Sequence, residues 1–98
     1  MNRLAVINTV GGSGHGRNAK FARRINDAVK ELWAVEGLEA AQKPNALTTN
    51  IAWHWSNRLY AEPLPAEYVR PAVHAARALG VDLDQHDLRP DIYGQAAA

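Results

Sequence analysis

Residues 45–94 read NALTTNIAWHWSNRLYAEPLPAEYVRPAVHAARALGVDLDQHDLRPDIYG, and this stretch decides the fold. Thr48 is a natural helix N-cap, because its hydroxyl can accept a hydrogen bond from the free N–H groups of the following turn. The helix it opens is expected to turn Ile51, Ala52 and Trp55 inward and to leave Thr49, Asn50, Trp53, His54 and Asn57 nearer the surface. Successive helical residues point about 100° apart, so Trp53 and Trp55 cannot share one core face. Trp55 is taken as the core member. Pro63 and Pro65 end this element, and Pro65 or Ala66 opens another helix that turns Val69, Val73, Ala76 and Leu79 inward. Pro71 within it predicts a kink or a late start. Gly80 suits a left-handed C-cap, and Asp84 caps a last turn, Gln85–Leu88, limited by Pro90. Helix, break, helix and capped turn together describe a mostly α, helix-turn-helix bundle.

Upstream of this stretch, Leu4–Val10 is an apolar, β-prone run followed by the glycines of GGSGHG. Residues 1–16 therefore read as a short strand or a flexible arm, since clustered glycines are entropically costly to order. From Arg17 the pattern is helical: Phe21, Ile25, Ala28 or Val29, and Leu32 recur every three or four residues and define a buried stripe. Arg17, Lys20 and Arg24 share another face. Gly37 interrupts or ends this helix, Leu38–Gln42 makes a short helical piece, and Lys43-Pro44-Asn45 breaks it. The helix-turn-helix domain is expected to span 17–94, with 95–98 a frayed tail.

At 98 residues the chain is long enough for one modest core. Apolar residues make up 47% and charged residues 21%, the balance of a water-soluble globule. Cysteine is absent, which removes disulfides and thiolate metal sites and suits a reducing compartment. No apolar run approaches the roughly 20 residues that span a bilayer, and MNRLAVINTV makes a poor secretory signal. A cytoplasmic, nucleoid-associated location with no membrane partner is the expectation.

The net charge of +1 conceals an asymmetry. Residues 1–30 hold Arg3, Arg17, Lys20, Arg23, Arg24 and Lys30 against Asp27 alone, whereas acids outnumber bases from Glu62 onward. Such a chain can face a polyanion in one orientation.

Catalytic chemistry finds little support in the sequence. His15, His54, His74 and His86 lack ligand spacing, so no metal is expected. No nucleophile–base set or carboxylate pair stands out, so neither an enzyme nor a cofactor is expected. VINTVGGSGHGRNAKF loosely resembles the opening of ParA-type ATPases, but Val10 and His15 replace its two lysines and Arg17-Asn18 its threonines.

Residues 46–94 resemble the small phage-type Cro and YdaS-like helix-turn-helix regulators. The features that carry this are Ala46-Leu47-Thr48 at the turn, a helix ending at Trp55, Leu64-Pro65-Ala66-Glu67, and Leu88-Arg89-Pro90-Asp91-Ile92-Tyr93. Ala46 stands where the family has glycine.

The resemblance implies a Cro/lambda-repressor-like fold and a sequence-specific regulator of transcription, a repressor or antitoxin-like protein, that binds double-stranded DNA. The helix from Thr48 would then lie in the major groove. Thr48, Thr49 and Asn50 would sit at base edges, with Trp53, His54, Asn57 and Arg58 beside them and Arg58 on phosphate. Arg17, Lys20 and Arg24 would add further phosphate contacts. A homodimer on a two-fold operator is implied, with a toxin or host protein as a further partner. The competing expectation is a protein-interaction module, a phage-type inhibitor of a host protein, that keeps the fold without binding DNA.

Overall fold

The computed structural model describes residues 1–36 and 43–94. It is a mostly helical bundle, and among the described residues there is no β-strand, only an isolated antiparallel bridge between Asn2 and Pro63. The helices are α1 (Arg3–Gly11), α2 (Arg17–Glu36), α3 (Thr49–Asn57), α4 (Val69–Ala78), α5 (Gln85–Leu88) and α6 (Pro90–Tyr93). A 3₁₀ turn over Ala66–Tyr68 leads into α4. The long helix α2 is the spine, against which α1, α3 and α4 all pack. None of these helices is long and apolar enough to cross a membrane.

Within residues 1–16, expected to be a flexible arm or short strand with a Gly-rich loop, Arg3–Gly11 is instead helical and belongs to the core. Val6, Ile7 and Val10 are fully buried, a spacing that makes a face on a helix but not on a strand. Asn2 caps this helix, its Oδ1 accepting from the Ala5 amide at 2.8 Å. The Arg3 and Leu4 amides, which α1 itself cannot satisfy, donate to the carbonyls of Glu62 and Tyr60 at 2.8 and 3.2 Å. Tertiary burial here overrides the weak helix propensity of β-branched residues. The domain therefore begins within the segment assigned to an arm. The glycine loop consequently follows a helix rather than a strand, which removes the context that a phosphate-binding loop requires.

Gly11 has a specific reason to be glycine. A Cβ there would stand 2.6 Å from the Arg17 carbonyl oxygen, so α1 and α2 meet at a distance only glycine allows. Arg17 and Arg24 close the same junction. Arg17 donates from Nη1 to Asn8 Oδ1 at 2.8 Å, and Arg24 donates from Nη1 to the Val10 carbonyl at 2.6 Å.

The expected stripe on α2 is buried: Phe21, Ile25, Ala28, Val29 and Leu32. Phe21 meets Trp55 edge-on at 6.3 Å, and Trp55 meets Tyr68 edge-on at 5.5 Å, so one aromatic row joins α2, α3 and the turn before α4. Arg3 lies over the Trp55 ring, 4.8 Å from its centroid. Its partner Glu62 is 3.4 Å away. Burial lowers the Arg3 pKa, and the neighbouring Glu62 opposes that effect.

Two inward assignments are corrected. Ile51 is 37% exposed, because α3 is seated on Ala52, Trp55 and Ser56 instead. Leu79 is 42% exposed, because α4 ends at Ala78 and the chain turns away at Gly80, whose φ is +74°. The Gly80 amide bonds the Arg77 carbonyl and the Val81 amide that of Ala76, the Schellman arrangement. Val81 and Leu83 take over the packing that Leu79 was expected to provide. Pro71 sits in the first turn of α4 and marks a late start. Asp84 caps α5 with a capping box completed by Asp87.

In the terminal motif, Leu88 is fully buried and Arg89 holds the chain end. Arg89 donates to the Leu64 carbonyl at 2.9 Å and grips Asp91 through Nε and Nη2 at 3.0 and 2.7 Å. The expected helical piece Leu38–Gln42, the stop at Gly37 and the frayed tail 95–98 lie outside the described residues.

Candidate nucleic-acid interface

α3 is short, and its placement depends on the segment leading into it. Residues 43–48 are neither helix nor strand, and Asn26 of α2 stitches them down. Its Nδ2 donates to the Leu47 carbonyl and its Oδ1 accepts from the Leu47 amide, each at 2.8 Å. The side chain thus imitates a strand partner for one residue. Tyr68 adds a third tie, its hydroxyl donating to the Asn45 carbonyl at 2.6 Å. Burial of that hydroxyl raises the Tyr68 pKa, with Glu67 adding to the effect. Leu47 enters the core, and Thr48 then caps α3 by accepting from the Ile51 amide at 3.1 Å.

With Ala52, Trp55 and Ser56 inward, the opposite side of α3 presents Asn50, Trp53, His54 and Asn57, spaced as one helical stripe. All four are exposed, as are Thr48, Thr49 and Arg58. Trp53 is 47% exposed and shares an open cleft with Thr49 and Asn50. Asn57 is partly engaged at home, donating to the Trp53 carbonyl at 2.9 Å and to Ser56 Oγ at 3.1 Å. The Asn50 amide carries both a donor and an acceptor outward, the pair needed to read the edge of an adenine.

Of the seven site residues expected between Thr48 and Arg58, Thr49, Asn50, Trp53, His54 and Asn57 share the outer side of α3, while Thr48 and Arg58 stand exposed at its two caps. The three expected on α2 behave differently. Lys20 is exposed, but Arg17 and Arg24 are half-buried and occupied in closing the end of α1, so their guanidiniums have structural work.

Two other lysines were missed by sequence reasoning. Lys30 and Lys43 line one cleft with Asn26, Pro44 and Ala46, beside the segment that delivers α3. Lys30 follows Asn26 by one helical turn, so both lie on the flank of α2 that faces residues 43–48. A signal for this surface was present in the sequence: residues 1–26 and 43–61 contain no Asp or Glu at all. These two runs supply α1, the first half of α2 and the whole of α3, which pack on one another.

Among the described residues, no three His, Asp or Glu side chains converge where a metal ion would bind. Comparison of the chain with protein-family models, with curated proteins and with solved structures finds no match.

Proposed function

We propose that this protein binds double-stranded DNA through α3 and acts as a regulator of transcription of the repressor or antitoxin-like kind. The observation that carries the reading is the outer stripe of α3. Asn50, Trp53, His54 and Asn57 stand exposed on a helix without a carboxylate, with Arg58 at its C-terminal end and Lys30 and Lys43 beside the segment that leads into it. A helix of this kind suits the major groove, where its amides reach base edges and the flanking cations reach phosphates. A single domain of this size covers little DNA, so a homodimer on a two-fold site is part of the proposal.

Salt dependence tests the reading. Four phosphate contacts, from Lys20, Lys30, Lys43 and Arg58, give a slope of about −3.6 in log K against log salt, or roughly 150-fold weaker binding between 50 and 200 mM. Absence of binding to random duplex at low salt would refute it. Asn50→Ala with Thr49→Ala then separates the parts, lowering affinity for a selected sequence while leaving affinity for random duplex nearly unchanged.

A second reading, a module that docks on another protein, is favoured by the exposure of Ile51, Trp53 and Tyr60 on and just after α3. In that case Trp53→Ala abolishes capture of the partner and DNA affinity is absent throughout.

A further inference from the structure

The groove between α2 and α4 lies on the other flank of α2 from residues 43–48, and it is divided in two by a contact between His74 and Glu31. His74 Nε2 and Glu31 Oε2 are 2.7 Å apart. On one side of this strap the groove opens into a cleft of about 190 Å³ lined by Leu32, Arg70, Val73, His74, Arg77 and Gln85. Arg70, Val73, His74 and Arg77 form one stripe along α4 at helical spacing, and Gln85 closes the cleft from α5.

Among the described residues no carboxylate lines this cleft, and four of the six lining side chains carry N–H groups. Glu31 lines the neighbouring cleft instead, where it engages His74 from behind. Arg70 already has an interaction of its own within the fold. Arg77 is exposed, and among the described residues its guanidinium makes no hydrogen bond or ion pair. Leu32 and Val73 add an apolar wall to the cationic one.

We propose that this cleft binds a small organic phosphate, with Arg77 as the principal cation, Arg70 and Gln85 as further donors, and Leu32 and Val73 against the ester group. A planar guanidinium matches two phosphate oxygens at once, and charge-assisted pairs of this kind are the stronger hydrogen bonds. The proposal is independent of the DNA reading, since it concerns another face and another class of ligand.

Inorganic phosphate and phenyl phosphate are titrated into the full chain at constant ionic strength while backbone amide NMR signals are followed. Saturable shifts are expected over residues 70–77 and at Gln85. Phenyl phosphate should bind several-fold more tightly than inorganic phosphate, because only the ester reaches the apolar wall. Arg77→Ala, at an exposed position, should retain the fold by circular dichroism and lose about tenfold or more in affinity for both probes. Affinity of Arg77→Ala for random duplex DNA should match that of the parent chain. Shifts that do not saturate, or that persist unchanged in Arg77→Ala, would mean an adventitious ion only and overturn the proposal. Equal affinity for the two probes would overturn the organic-ester assignment, and a large loss of DNA binding in Arg77→Ala would make the cleft part of a nucleic-acid surface instead.

Discussion

Asn26→Ala tests the placement of α3 directly. The side chain makes two hydrogen bonds of 2.8 Å to the backbone of Leu47, in a partly buried setting. Truncation removes both and leaves the Leu47 amide and carbonyl without these partners, while Leu47 itself is only 5% exposed. Two lost bonds, each worth about 1 kcal/mol net, plus incomplete rehydration of the abandoned groups, give a destabilisation of about 2–3 kcal/mol. With a urea m-value of about 1–1.5 kcal/mol/M for a chain of this size, the unfolding midpoint should fall by roughly 2 M. In thermal melts the same loss corresponds to a drop of about 10–20 °C. Asn26→Asp is the informative companion: it keeps an acceptor for the Leu47 amide but sets a carboxylate against the carbonyl, so it should recover little of the loss. A midpoint for Asn26→Ala within 0.3 M of the parent (about 0.3–0.5 kcal/mol on the same m-value) would refute the reasoning, since the lead-in to α3 would then be held by something other than this side chain.

Ile7→Ala should cost about 2–5 kcal/mol in urea unfolding, because a fully buried side chain is removed, whereas a residue on a loose arm would cost almost nothing. Gly11→Ala should destabilise by about 1–3 kcal/mol, since the new methyl meets the Arg17 backbone rather than a yielding side chain. The hydrogen bonds from Arg89 hold the Asp91 carboxyl below the usual carboxylate range and raise the Arg89 pKa in turn. A depressed carboxyl stabilises the fold above its unfolded pKa of about 3.9 and ceases to do so as pH falls through the lower folded value. Asp91→Asn should therefore be less stable than the parent at pH 7 and indistinguishable from it below that value, and a difference that persisted in strong acid would contradict the assignment.

The parts legible in the sequence are those governed by local rules. Thr48, Gly80 and Asp84 were readable as caps because capping chemistry depends on a few adjacent residues. The α2 stripe was readable because Phe21, Ile25 and Leu32 repeat at the helical period. What escaped was governed by distant partners. Val6, Ile7 and Val10 look β-prone alone, and the carbonyls of Tyr60 and Glu62, far along the chain, complete with the Asn2 cap the satisfaction of their helix. Arg17 and Arg24 looked like free cations because nothing in a sequence shows that Asn8 and the Val10 carbonyl wait for them. Lys43 was visible only as part of a chain break, and its neighbour Lys30 only as a charge on a helix. The outer face of α3 was largely legible because the Thr48 cap and the helical period around Trp55 fix which residues point away from the core, although Ile51 was assigned to the wrong side.

The bonds from the Arg3 and Leu4 amides to the Glu62 and Tyr60 carbonyls have a bearing on how the molecule opens. The start of α1 and the stretch that leaves α3 secure each other, so detachment of either breaks bonds that hold the other. Arg3 strengthens the link by bonding the Pro63 carbonyl at 3.0 Å while it covers Trp55. Local opening of α1 would therefore release the exit of α3 in the same event, as a single cooperative unit. In native-state hydrogen exchange the amides of Arg3 and Leu4 should report one common opening free energy with those of Arg58 and Leu59, although more than fifty positions of chain lie between them.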